Sequence, residues 1–146
     1  ADRAALRSVL AGARFAELRE GVWMRPDNLG PGPEPADDVV WIRGTPDDPG
    51  ALASRLWDLD AWRTAAVRLR SELVELEEPL RRGDHTGLAP GFVLSAAVLR
   101  HLQADPLLPD ELLPTDWPGA TLRDAYDRFD AAYRDLLASW FRRAVT

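Results

Sequence analysis

The stretch Asp105-Pro106-Leu107-Leu108-Pro109-Asp110-Glu111-Leu112-Leu113-Pro114-Thr115-Asp116-Trp117-Pro118-Gly119 decides how this chain is put together. Proline fixes φ, removes a backbone donor and drives the preceding residue towards extended geometry, so Pro106, Pro109, Pro114 and Pro118 punctuate successive short turns. The segment can be neither one helix nor a central strand. Its leucine pairs still require burial. The expectation is a stiff apolar connector that delivers Trp117 to the start of the next helix.

Downstream, Leu122, Tyr126, Phe129, Tyr133, Leu136 or Leu137, and Trp140 recur at spacings of three and four, with Phe141 alongside, which predicts a long amphipathic helix. Asp124 with Arg128 and Asp130 with Arg134 are i,i+4 pairs on its exposed flank. Upstream, Leu88 to Gln103 reads as a helix with Phe92, Ala96, Leu99 and Leu102 on its apolar side. Before it, Leu59, Trp62, Ala66, Leu69, Leu73, Leu76 and Leu80 form a heptad stripe. Asp58 or Asp60 caps that helix, Pro79 and Gly83 stop it, and Arg81-Arg82 suit its negative dipole end. Asp84 to Gly87 is the connecting loop, and Ala51 to Trp57 is a short preceding helix.

Towards the N-terminus, residues 2–13 place Ala5, Leu6, Val9, Leu10 and Ala13 at helical spacing, ending near Gly12. Phe15 to Leu18 and Val22 to Arg25 read as hairpin strands around Arg19-Glu20-Gly21. Asp27 to Asp38, with three prolines and two glycines, is a surface loop. Val39 to Gly44 reads as a further strand whose core, Val40-Trp41-Ile42-Arg43, echoes Val22-Trp23-Met24-Arg25. The turn from Thr45 to Gly50 marks the candidate boundary, giving a domain at 1–44 and a helical one at 51–146.

The chain has 146 residues, 46% of them hydrophobic, enough for one ordinary domain or two small ones sharing a core. A net charge of -6 argues against a duplex-binding surface spread over the whole chain. All basic residues are Arg, which we read as codon usage rather than chemistry. Cysteine is absent, so disulfides, thiolate catalysis and Cys-ligated zinc are excluded. No apolar run approaches the roughly 20 residues that span a bilayer and no signal-peptide pattern is present, so the expectation is a soluble, cytoplasmic protein. The first residues, Ala1-Asp2-Arg3, suggest processing or a fragment of a longer chain.

Residues with catalytic potential do not assemble into a sequence-local motif. His85 and His101 lack metal-ligand spacing, and no metal or cofactor is expected. Ser8, Ser54, Ser71, Ser95 and Ser139 lie in predicted helices, none in a nucleophile elbow. Glu72, Glu75, Glu77 and Glu78 read as a solvated helix face rather than acid–base groups. Tryptophan beside arginine, as in Trp23 with Arg25 and Trp41 with Arg43, is the composition of a slot for a planar ligand, and Arg100-His101 suits a carboxylate or phosphate.

Gly21-Val22-Trp23-Met24-Arg25-Pro26, Arg55-Leu56-Trp57-Asp58-Leu59-Asp60 and the connector, in this order and rough spacing, resemble the PaaX-type repressors of phenylacetate catabolism over nearly the whole chain. That resemblance implies a regulator with an N-terminal winged helix-turn-helix, a central ferredoxin-like domain similar to a small CRISPR-associated nuclease, and a helical C-terminal domain. The winged helix is absent here, and residues 1–44 would be the central domain lacking its first strand, where the nuclease-like relative carries its catalytic aspartate. A helix expected between the Trp23 and Trp41 strands is replaced by the proline-rich loop. The implied fold is α+β: a small antiparallel ferredoxin-like sheet, truncated at its first strand, followed by a mainly helical C-terminal domain. The implied function is the effector-sensing and dimerisation portion of a repressor of aromatic-acid or acyl-CoA catabolism, not an enzyme. Its effector would be an aryl- or acyl-CoA, its partner a second copy, and DNA would be reached only through the absent winged helix. Alternatives are a small acyl-CoA thioester hydrolase and a ligand-free dimerisation module. Arg55, Trp57, Arg100, His101 and Trp117 are the candidate ligand-binding residues, with no catalytic residue assigned.

Overall fold

The computed structural model describes residues 2–34 and 39–144. Residues 35–38 of the predicted Asp27–Asp38 loop lie outside the described residues. The chain divides into two compact units, one formed by residues 1–59 and 104–115, the other by 60–103 and 116–146.

In the first unit, helix α1 (Arg3–Gly12) starts at Asp2, whose carboxylate accepts the Ala4 N–H at 3.0 Å. It buries Leu10, while Val9 remains half exposed. Strands β1 (Ala16–Arg19) and β2 (Val22–Met24) pair antiparallel, Ala16 with Met24 and Glu17 with Trp23, with a bulge between Glu17 and Arg19. Arg25 donates to the carbonyls of Ala13 (2.7 Å) and Gly30 (2.8 Å) and stacks its guanidinium 4.7 Å from the Phe15 ring. Helix α2 (Pro49–Leu56) begins with Asp48 accepting the Ala51 N–H at 2.9 Å and with proline in its first turn. It packs against β1 and against the short 3-10 turn Asp110–Leu112 of the connector.

The α+β class holds, but the third strand does not form. Residues 39–44 form no regular element and no ladder. Val40 and Ile42 are 83% and 86% exposed, while Trp41 turns the other way and packs 5.4 Å from Phe15. Strand-like alternation is present, yet a strand needs a ladder partner, and the described residues supply none.

The connector bends where the prolines demand. Leu107 and Asp116 adopt positive φ (52° and 59°), Pro109 is extended, and Leu108 is buried. Asn28 donates to the Leu107 carbonyl at 2.9 Å, and buried Asp105 accepts the Leu107 N–H at 3.0 Å.

The second unit is an up-down-up bundle of α3 (Leu59–Arg81), α4 (Leu88–Gln103) and α5 (Gly119–Ala144). The heptad stripe is buried as predicted: Trp62, Ala66, Leu69, Leu73 and Leu80 join Leu94, Val98, Leu122, Phe129 and Leu136 in one core. Pro79 does not stop α3, which runs on to Arg81. Its end is set by Gly83, whose N–H bonds to the Leu80 carbonyl while the Asp84 N–H bonds to that of Pro79. Asp84 then accepts the Thr86 hydroxyl at 2.6 Å and N–H at 3.0 Å, which hold its carboxyl below the ordinary value of 3.8. The glutamates predicted as a solvated face pair with arginines: Glu77 with Arg81 and Arg128, Glu78 with Arg82, and Glu72 with Arg68.

Helix α4 buries a different face from the one predicted. Gly91, Leu94 and Val98 face inward, whereas Phe92, Val93 and Leu99 are 67%, 68% and 44% exposed. The reason lies at Gly91, where a Cβ would stand 2.9 Å from the Tyr133 ring: α4 and α5 approach closely at this glycine, and Ser95 adds a 2.9 Å hydrogen bond with the Tyr126 hydroxyl. On α5, Trp140 and Phe141 pack on each other at 5.1 Å but are half exposed, and Ala125 and Ala132 complete the buried stripe instead.

Two outcomes are expected. Gly91→Leu should overpack the α4–α5 contact and cost about 1–3 kcal/mol in urea unfolding. Asp84→Ala should lower the melting temperature at pH 7. Because the folded Asp84 carboxyl is depressed, its contribution is present above 3.8 and lost as pH falls through the lower folded value, so the difference from the parent chain should close in acid.

Candidate functional site

Trp62 lies one turn into α3 and His101 in the last turn of α4, and the antiparallel course of the two helices makes them neighbours. The Trp62 indole N–H donates to the His101 carbonyl at 3.1 Å, and His101 Nε2 lies 2.9 Å from the Trp62 carbonyl. A carbonyl only accepts, so His101 carries its hydrogen on Nε2. The imidazole stacks on one face of the indole, centroids 4.4 Å apart and planes 20° apart. Trp117 stacks on Trp62 at 4.7 Å and 15°.

Trp117 reaches this position because the connector ends in a left-handed Asp116 and a buried Pro118, after which α5 begins at Gly119. A Cβ on Gly119 would lie 2.9 Å from Trp117 Nε1 and 3.0 Å from an Arg123 nitrogen, so only glycine lets the indole fold back along the helix start. Leu102 and Trp117 close over the core beside the stack.

Of the five predicted residues, the structure brings His101 and Trp117 together on Trp62, which sequence periodicity had placed only in the core stripe. Arg100 is exposed on the outer side of α4. Arg55 is exposed in the last turn of α2, and Trp57 is the half-buried residue that caps it, its N–H bonded to the Ala53 carbonyl at 3.0 Å; both belong to the first unit. The predicted slots beside Trp23 and Trp41 do not form: Arg25 stacks on Phe15, and Arg43 pairs with Asp27 at 3.2 Å.

Chemically, the stack is a clamp. Its histidine is engaged through Nε2 with a backbone carbonyl, which takes that nitrogen out of general-base work. Two clefts of about 250 Å³ open in the helical unit, one lined by Glu72, Glu75, Leu76, Pro90 and Leu94, the other by Leu80, Arg81, Gly83, Ala132, Asp135, Leu136 and Ser139. Both fall below the roughly 300–1,000 Å³ of ordinary ligand pockets, and the first presents carboxylates. Among the described residues no group of three or more His, Cys, Asp or Glu side chains could hold a metal ion, and no helix is long and apolar enough to cross a membrane.

Residues 57–143 match the family described as the PaaX-like protein C-terminal domain, and since this is more than half of the chain, the protein belongs to the PaaX-like family, a regulator family and not an enzyme family. The chain is similar to the solved structure of Rv0674 from Mycobacterium tuberculosis, described as uncharacterized, at 43% sequence identity and a TM-score of 0.74. That match covers 94% of this chain and 56% of the other, so the chain spans little more than half the length of that relative. No curated protein matches it.

Removing the central ring should cost most. Trp62→Ala is expected to destabilise the chain by about 3–5 kcal/mol. A double-mutant cycle of Trp62→Phe with His101→Phe should return a coupling of about 0.5–3 kcal/mol in chemical denaturation.

Proposed function

We propose that this chain is the effector-sensing and dimerisation portion of a PaaX-like transcriptional repressor of aromatic-acid or acyl-CoA catabolism, acting without catalysis. Residues 1–44 would derive from the central domain and 51–146 would form the C-terminal one. The observation that carries the reading is the Trp62–His101–Trp117 stack inside the family's own domain, an aromatic contact that an aryl group can compete for. Arg100, exposed next to His101, would offer a cation to a thioester ligand's phosphates. Arg55 and Trp57 stay in the proposal as candidate contacts on the strength of their motif.

In this reading the ligand binds one arrangement of the helical body better than the other and so shifts attached winged helices out of half-site register. DNA would be contacted only through such a winged helix, never through the acidic chain described here.

Calorimetric and thermal-shift titration with a panel of aryl- and acyl-CoA thioesters tests the proposal. A saturable rise in melting temperature for an aryl thioester, abolished by Trp117→Ala, is expected. Flat responses across the panel would sink it, and release of free thiol from a thioester would point to a hydrolase instead.

A further inference from the structure

The chain has two histidines, and the groups around them fix opposite tautomers. His101 Nε2 faces the Trp62 carbonyl, which only accepts, so that nitrogen carries the hydrogen. His85 starts the 3-10 turn His85–Gly87 between α3 and α4, and its Nε2 lies 2.6 Å from Arg143 Nη2 in the last turn of α5. A guanidinium only donates, so His85 Nε2 presents its lone pair and the ring hydrogen sits on Nδ1. Arg143 is aimed at it from its own helix: Nε donates to the Ser139 carbonyl at 3.3 Å and Nη2 to the Ser139 hydroxyl at 3.2 Å. That hydroxyl donates to the Leu136 carbonyl at 2.8 Å. Leu136 and Ser139 line one side of the cleft whose other side is Leu80, Arg81 and Gly83, so the bond from Arg143 to His85 ties α5 to the far side of that cleft.

We propose that Arg143 and His85 form an acid-opened latch: neutral His85 holds the last turn of α5 to the turn before α4, and a second proton on its ring releases it. That proton has only Nε2 to bind, the atom facing Arg143, so protonation replaces a hydrogen bond by two facing cations. At His101 the second proton goes to Nδ1 instead. The bond to the Trp62 carbonyl stays, and the imidazolium lies stacked on the indole as a cation over a π-face. Acid therefore loosens one end of the bundle and leaves the other closed. The charged surroundings of His85 permit this. Helix α4, which packs on the turn, carries no titratable residue before Arg100. From α3 comes Arg82, paired with Glu78 at 3.4 Å, and from α5 Arg143 with Arg142 beside it. Along the cleft, Arg81 is paired with Glu77 at 2.8 Å and Asp135 lines the α5 side. Asp84 precedes His85 in the same turn, its carboxylate engaged by the Thr86 hydroxyl and N–H and so held ionised where imidazole titrates. It gives the imidazolium a partner once Arg143 has moved away.

Long-range proton–nitrogen correlation spectra of the two imidazoles test the geometry. At about pH 8, above the ordinary imidazole value of about 6.5, His85 is expected as the Nδ1–H form and His101 as the Nε2–H form. At about pH 5 ordinary carboxylates, near about 4, are still ionised, so the change in between belongs to imidazole. Over that interval the Cα shifts of Phe141 to Ala144 should move towards coil while those around Trp62 and His101 hold. Amide protection in the last turn of α5 should fall about 2- to 10-fold, the contribution of one hydrogen bond. His85 and Arg143 are both exposed, so variants there keep the core. His85→Gln, whose side-chain oxygen accepts from Arg143 without titrating, should keep the end of α5 helical at both pH values. His85→Lys, a permanent cation, should show the loosened end at both. An Nε2–H tautomer at His85 overturns the latch. So does an end of α5 that is the same at both pH values, or an acid response that survives in His85→Gln.

Discussion

The helical unit depends on one reciprocal contact: Trp62 donates to the backbone of His101, and His101 returns a hydrogen bond to the backbone of Trp62. Each bond fixes a side chain of one helix to the main chain of the other, so the pair sets the register of α3 against α4 and not merely their proximity. Two hydrogen bonds at about 0.5–1.5 kcal/mol and two stacked ring pairs at about 0.5–1.5 kcal/mol beyond their burial give the clamp about 2–6 kcal/mol. That is a large share of the roughly 5–15 kcal/mol that holds a domain together. Trp117 completes the clamp by stacking on Trp62 at 4.7 Å.

The parts legible in the sequence were those where large apolar side chains and burial coincide. The stripe from Trp62 to Leu80 and the central part of α5 are buried where a period of three and four put them. The periodicity of Phe92, Ala96 and Leu99 misplaces the buried face of α4 because the inner side turns on Gly91, whose lack of a Cβ admits the Tyr133 ring, a property of the neighbour that no local pattern reports. Val40 and Ile42 carry the composition and alternation of a strand, but strand formation is settled by a partner elsewhere in the chain. The site was half legible. His101 and Trp117 were singled out by type and motif, while their meeting on Trp62 depends on the antiparallel course of α3 and α4, which spacing within one helix does not encode.

Helix α4 therefore presents different chemistry on its two sides. Its inner edge carries His101 into the clamp, and its outer edge carries Phe92, Ala96 and Leu99 to the surface. The Gly91 contact with Tyr133 is close-packed and resists compression.

The size of the clamp limits what the proposed effector can do. A ligand present at 100 times its dissociation constant contributes only about 2.7 kcal/mol of linkage, which is no more than the lower part of the clamp's range. Dissolving the whole stack would exhaust that and unfold the end of the bundle, where Trp62 and Leu122 close the core. Replacing Trp117 on Trp62, with the two backbone bonds to His101 kept, costs one ring contact of about 0.5–1.5 kcal/mol and is within reach. The physical expectation is therefore displacement of the Trp117 ring from an intact α3–α4 pair, with the packing of the two helices preserved.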